Sequence, residues 1–296
     1  MSPCYHPLQA YLATDGEEKG QIVFARQSGR IYLETQLPCG TCLGCRLDYS
    51  RQWSIRCMHE AELHDDNCML TLTYDDVHLP EDGSLQPRDV VLFLKRLRKT
   101  LSPQKISYYM AGEYGENTSR PHYHVLIFGA DFADVELYSH PFARVDIDVV
   151  ERAWGLGHVR RDPLTMETAA YVTRYCLKKQ NKEIDYVDKS SGVIRRREFV
   201  RMSRRPAIGR RWYEQNSKDT YRDDTVVLKD LVSRPPRYYD KVKKQIEGDD
   251  ALKEIKRKRL KESFARRHDT TPARLAVREK IAKAKNALLK RSYENA

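Results

Sequence analysis

Two histidines one residue apart, His122 and His124, open the apolar run of RPHYHVLIFG (residues 120–129). Side chains alternate across a β-strand, so His122, His124 and Leu126 share one face while Tyr123, Val125 and Ile127 take the other. Two neighbouring imidazoles on a sheet surface are either half a metal site or polar residues at a strand entrance. Glu113 closes the preceding apolar stretch, KISYYMAGE (105–113). If a hairpin sets Glu113 opposite His122 or His124, its carboxylate joins them on the same face. Two imidazoles and one carboxylate with open positions suit a divalent ion such as Mn²⁺ or Mg²⁺. The intervening loop, YGENTSRP, accommodates several registers, so the sequence leaves the pairing open.

Two further groups of residues could act on a phosphate. In AAYVTRYCLKK, Tyr171 and Tyr175 are four apart and share one face of a helix, and Lys178 and Lys179 follow on nearly the same face. A phenol with a pKa near ~10 is a poor nucleophile at neutral pH, and a nearby ammonium or a metal-polarised phosphate improves it. The segment RRREFVRMSRRPAIGRR (195–211) holds eight arginines against one glutamate. Such density points to phosphate partners, with Arg195, Arg196, Arg197, Arg204, Arg205, Arg210 and Arg211 as candidate contacts to a nucleic-acid backbone. Taken singly, each group has a plainer reading: structural histidines, tyrosines in a core, or a solvated charged surface.

These residues need elements to position them. RLDYSRQWSIRCMHEAELH (46–64) has helical spacing, with Leu47, Trp53, Cys57 and Ala61 near one face. NCMLTLTYDD (67–76) is a short β-rich run, and DGSLQPRDVVLFLKRLRKTL predicts a turn at Asp82-Gly83 and an amphipathic helix from about residue 87 to 101. Strands at 105–113 and 122–129 form an antiparallel hairpin, followed by a helix at 146–155, a strand near 157–161 and a helix at 166–180. This order predicts an α+β fold, an antiparallel sheet with helices packed on one face, plus a basic helical C-terminal extension broken near Thr270-Thr271-Pro272. The expected parts are a Cys-rich segment and helix (1–66), a core (67–184), an Arg-rich segment (185–239) and the basic extension (240–296).

Bulk properties narrow the class. A chain of 296 residues can bury a substantial core. The net charge is +11, and residues 251–291, with 15 Lys and Arg against 4 Asp and Glu, account for all of it. No apolar run approaches the roughly 20 residues that span a bilayer, so no membrane partner is expected. MSPCYHPLQAY lacks the features of a signal peptide, so a cytoplasmic location is expected. Five of the seven cysteines fall within the first 57 residues. Cys39-x₂-Cys42-x₂-Cys45, with Cys4 or Cys57 as a fourth thiolate, has zinc-ligand spacing. Structural Zn²⁺, reduced thiols and an iron–sulfur cluster all remain open.

Together, the stretches PCGTCLGCRLDYSRQW, MLTLTYDDVHLP, LFLKRLRK, GEYGENTSRPHYHVLIFG, YVTRYCLKK and MSRRPAIGRRW resemble the HUH endonuclease superfamily, and within it the replication initiation proteins of gokushovirus-type microviruses. The resemblance spans about residues 38–212. It implies an HUH/RRM-like palm and a bacteriophage enzyme that nicks one strand of single-stranded or melted origin DNA to start rolling-circle replication. On that basis His122, His124 and Glu113 become ligands of a divalent metal. Tyr171 and Tyr175 become alternating nucleophiles that form a 5′-phosphotyrosine intermediate, in either order. Lys178 or Lys179 would offset charge at the phosphate or carry a proton. The strand MLTLTYDD matches the superfamily's first motif. The middle residue of the histidine motif departs from an aliphatic: it is Tyr123, which fits a buried position if its hydroxyl finds a partner. Host helicase and polymerase become expected partners in the host bacterial cytoplasm. A non-enzymatic basic nucleic-acid-binding protein, or another HUH enzyme such as a relaxase or transposase, is the competing reading.

Overall fold

The structure, a computed structural model, describes residues 4–17, 19–115, 118–132, 147–174, 186–187, 192, 194–229 and 231–288. Three strands, β1 (Leu8–Ala13), β2 (Ile22–Val23) and β3 (Tyr32–Leu37), precede helix α1 (Leu43–Ala61). Then follow β4 (Asn67–Tyr74), α2 (Pro87–Thr100), β5 (Ser107–Tyr114), β6 (Pro121–Phe128), α3 (Ile147–Trp154), β7 (Gly157–Pro163) and α4 (Met166–Arg174). Short strands β8 (Tyr186–Val187), β9 (Ile194–Arg195) and β10 (Phe199–Met202) lead to α5 (Arg210–Arg222), the hairpin β11 (Val226–Leu228) and β12 (Leu231–Ser233), and α6 (Arg237–Glu247). Helices α7 (Lys253–Ala265) and α8 (Pro272–Leu288) complete the order, separated by a 3₁₀ turn at Arg267–Thr270. The chain divides into two compact units, one from Met1–Asp48 and Arg257–Arg291, the other built on Tyr49–Lys256.

In the larger unit a five-stranded antiparallel sheet has the order β10-β5-β6-β4-β7, so the histidine strand β6 is central. The expected α+β class holds, and β10 adds an edge strand in the Arg-rich segment where sequence periodicity fades. One sheet face, with Leu70, Leu72, Met110, Tyr123, Val125 and Ile127, is covered by α2 and α3. Helix α2 does so through Val90, Phe93, Leu94 and Leu97, an i, i+3, i+4, i+7 stripe started by Pro87 in its first turn. Tyr123 is fully buried there, and its hydroxyl meets Tyr74 Oη at 2.9 Å and the Gln86 amide N–H at 2.7 Å. The aromatic middle residue of the histidine motif therefore has the polar partners that burial demands.

The opposite face is also partly covered. Met69, Tyr109, Ala111, Leu126 and Phe128 pack against Cys57 and Ala61 of α1 and against Ala169, Tyr171 and Val172 of α4. Helices thus lie on both faces, and the second layer is what brings Tyr171 over the histidines. Gly112 makes close approach possible: a Cβ there would lie 3.0 Å from both Phe199 and Tyr123 ring carbons.

Candidate metal centre and nucleophile

The β5–β6 register pairs Glu113 with His122 and Ala111 with His124, settling the pairing that the loop length left open. Glu113 Oε1 lies 3.1 Å from His122 Nε2 and 2.7 Å from His124 Nε2. The three donor atoms all lie within 4.8 Å of one another. Glu113 and His124 are buried, and His122 keeps 12% of its side chain exposed. The sheet ladder fixes all three, because each donor stands on one of two adjacent central strands.

The hydrogen bonds around the imidazoles say what can sit between them. His122 Nδ1 lies 3.2 Å from the Arg120 carbonyl, which can only accept, so Nδ1 carries the proton. In a neutral ring this turns the bare Nε2 lone pair toward the Glu113 carboxylate. Two acceptors face each other there, and the contact needs a proton or a cation between them. His124 Nδ1 lies 3.0 Å from Thr71 Oγ1 on β4, and a hydroxyl can donate or accept, so that ring tolerates either tautomer. Burial works to raise the Glu113 pKa, but hydrogen bonds from His122 and His124 and their charges outweigh it and bring it down to about 2. Burial lowers the His124 pKa, against the opposing pull of Glu113. An ionised carboxylate beside imidazoles available as neutral ligands is a donor set that fits a divalent cation.

Tyr171 on α4 reaches this donor set. Its hydroxyl lies 3.4 Å from Glu113 Oε1 and 3.4 Å from His124 Nε2, and its ring meets the His124 ring edge-on at 5.0 Å. Tyr175, Lys178 and Lys179 lie outside the described residues. The same sheet face continues across β4 and β7 as the row His124–Thr71–Arg160, with His158 beside it opposite Thr73. Arg160 donates to Asp162 at 3.0 Å and its charge also disfavours protonation of His124. The sequence reading missed Thr71 and Arg160 as neighbours of the centre. Their signal was the period-2 alternation of LTLTY and HVRRD, legible only once the strand order is known.

The arginine cluster separates into two kinds. Arg210 donates to Glu214 at 2.8 Å, Arg211 to the buried Glu60 at 3.2 Å, and Arg195 to the Ser119 carbonyl at 2.9 Å. These have structural partners. Arg196, Arg197, Arg204 and Arg205 are exposed, flanking β10 at the edge of the site's own sheet.

The cysteines resolve the choice of fourth thiol. Cys57 is buried in the apolar layer under the sheet, whereas Cys4 joins Cys39, Cys42 and Cys45, with one sulfur from each within 4.8 Å of the others. Among the described residues no helix is long and apolar enough to cross a membrane.

Comparison with known proteins agrees with this arrangement. A family of replication-associated proteins, described by its ORF2 member, matches residues 67–180, the stretch that holds the sheet, the donor set and Tyr171. The chain is 33% identical to replication-associated protein VP4 of Bdellovibrio phage phiMH2K over 254 residues, covering 80% of this chain and 75% of that protein. It is 28% identical to replication-associated protein ORF2 of Spiroplasma virus 4, covering 87% of this chain and 86% of the relative. It is also 28% identical to replication-associated protein ORF4 of Chlamydia phage 1, covering 73% and 55% respectively. No solved structure matches. With its length covered this far, the chain belongs to the family of microvirus replication-associated proteins.

Proposed function

We propose that this protein is a metal-dependent, site-specific endonuclease and strand transferase of the HUH type. It acts on single-stranded or melted origin DNA and starts rolling-circle replication through a 5′-phosphotyrosine intermediate. The observation that carries this reading is the convergence of Glu113, His122 and His124 on one point, with the Tyr171 hydroxyl 3.4 Å from two of them. Membership of a replication-associated family favours this role over a relaxase or a transposase. A protein that only bound DNA would have no need of an acceptor pair that demands a cation or a proton between its members.

Glu113, His122 and His124 would hold the ion, Mn²⁺ or Mg²⁺. Once bound it would supply Lewis-acid polarisation of the scissile phosphate. The protein's own residues do the rest. The phenol oxygen of Tyr171 or Tyr175 forms a bond to phosphorus while the bond from phosphorus to the 3′ oxygen breaks. The phenol gives up its proton and the 3′ oxygen gains one, leaving a 3′ hydroxyl and a DNA 5′ end esterified to tyrosine. The new ester conserves the energy of the old, so rejoining needs no nucleotide. Lys178 and Lys179 offset charge at the phosphate, and the exposed arginines beside β10 hold the backbone. The work is done in the host bacterial cytoplasm, where host helicase and polymerase extend the 3′ end.

The test is a covalent adduct. Full-length protein, single-stranded origin-containing fragments and Mn²⁺ are expected to give a protein–DNA species on a denaturing gel, absent when the metal is chelated. Tyr171→Phe combined with Tyr175→Phe is expected to abolish it. Absence of any adduct from the wild type across the phage origin region would overturn the enzyme reading, and an adduct that survives the double substitution would overturn the nucleophiles.

A further inference from the structure

A second cluster lies in the smaller unit, apart from the proposed nuclease chemistry. Cys39 Sγ and Cys45 Sγ are 4.0 Å apart, and Cys42 Sγ and Cys4 Sγ are 3.9 Å apart. A tetrahedron with metal–sulfur bonds of about 2.3 Å has an edge of about 3.8 Å. These separations are too long for disulfide bonds, which need about 2 Å between sulfurs. Clusters with several irons interpose their own atoms between the thiolates and would spread them farther apart.

The backbone is arranged around the sulfurs as it would be around metal thiolates. The amide of Cys42 donates to Cys39 Sγ at 3.4 Å, and the amide of Cys45 donates to Cys42 Sγ at 3.5 Å. The amide of Cys39 donates to Cys4 Sγ at 3.2 Å, and that of Tyr5 to Cys42 Sγ at 3.3 Å. Gly40, at φ +79°, supplies the left-handed turn that curls the Cys39–Cys42 loop around its sulfur. Cys45 stands in the first turn of α1, where the helix dipole also favours negative charge.

An independent observation comes from packing. The four apolar core clusters found among the described residues draw all their members from the larger unit. The smaller unit has a three-stranded sheet with Leu8, Ile22 and Leu33 exposed. A unit with so little apolar burial needs another source of stability, and a structural metal is one of the few available. Cys4 and Cys39 lie 35 residues apart and bracket that whole sheet, so a link between them removes a large share of the unfolded chain's freedom.

We propose that Cys4, Cys39, Cys42 and Cys45 bind one zinc ion as a closed tetrathiolate site that staples the N-terminal sheet to the first turn of α1. The site is structural, because four protein thiolates leave no open coordination position. It is independent of the Glu113–His122–His124 centre.

Full-length protein purified without chelator is expected to contain one zinc per chain by elemental analysis. A mercurial should release that zinc as four thiols react. Cobalt replacing it should show tetrahedral visible absorption with thiolate charge-transfer bands. Cys4→Ser and Cys42→Ser should each fall below about a fifth of an equivalent, while His122→Ala with His124→Ala keeps the full equivalent. The cobalt spectrum of the wild type carries the test even if Cys42→Ser does not fold. Less than half an equivalent of zinc, a disulfide among these cysteines, iron in place of zinc, or zinc that follows the histidines would each overturn the proposal.

Discussion

The two donor clusters of this protein solve opposite problems. Glu113, His122 and His124 stand on adjacent central strands of a five-stranded sheet, and the ladder keeps them together with or without an ion. Cys4, Cys39, Cys42 and Cys45 come from an N-terminal segment, a turn and the first turn of a helix, in a unit with few buried apolar side chains. The rigid set mixes nitrogen and oxygen donors, leaves positions open and has a phenol beside it. The turn-borne set is all sulfur and closed. In the first the fold positions the metal, and in the second the metal positions the fold.

That contrast is broken most directly by deleting one ligand on the sheet. His122→Ala removes the partly exposed imidazole and leaves the ladder intact. Adduct formation with Mn²⁺ should slow on the order of 10³-fold, the loss of several kcal/mol of transition-state stabilisation. The thermal midpoint should move by only a few degrees, as for a substitution outside the apolar core. A large fall in midpoint with activity lost in proportion would show that the sheet cluster, too, is a structural staple.

The second-largest effect is a difference in pH response. Burial raises the thiol pKa of Cys4 and of Cys45. Burial also works to raise that of Cys39, but amide and hydroxyl donors from Cys42 and Thr41 outweigh it and bring it down to about 6. In the metal-free form at pH 7 at least Cys4 and Cys45 therefore carry protons that zinc must displace. Each unit of acidification should cost zinc affinity about 10²-fold from those two groups alone, more below pH 6 as Cys39 also protonates. Glu113, held at about 2, and His124, lowered by burial, bind no proton in that range, so they add no such slope to Mn²⁺ affinity. Competition titrations with a metal indicator between pH 6 and 8 measure both slopes. Equal slopes would remove the distinction between the sites.

Much of the sheet cluster was legible in the sequence, because alternation alone places His122 and His124 on one face. Helical spacing likewise put Tyr171 on a definite side of its helix. What the sequence withheld depended on long-range geometry. The register that sets Glu113 against His122 is a property of a loop whose length permits several answers. The choice of Cys4 over Cys57 depends on which thiol returns from 35 residues away, and Cys57 is spaced as plausibly but faces apolar neighbours. Arg211 read as a phosphate contact because its partner Glu60 lies 151 residues earlier, invisible to any local pattern. Strand β10 escaped because four residues at a sheet edge carry too little periodicity to stand out.

The smallest effect tests how the rigid set holds its rings. Thr71 is buried, and its Oγ1 lies 3.0 Å from His124 Nδ1, on the side of the ring away from Glu113. Thr71→Val replaces that hydroxyl with a methyl of similar size and leaves the strand unchanged. Partners of this kind fix ring orientation and raise ligand basicity, and their loss costs about 10- to 100-fold in metal affinity. The lower end is expected here, because Tyr171 and His122 still flank the ring, each with a centroid 5.0 Å away. The Mn²⁺ concentration for half-maximal adduct formation should rise about 10-fold, while the rate at saturating Mn²⁺ recovers and zinc content does not change. Thr71→Ser, which keeps the hydroxyl, should restore the wild-type value. If Thr71→Val leaves the half-maximal concentration unmoved, the Thr71 hydroxyl does not orient His124. The sheet would then keep the donors in place through its own ladder and the packing of the rings.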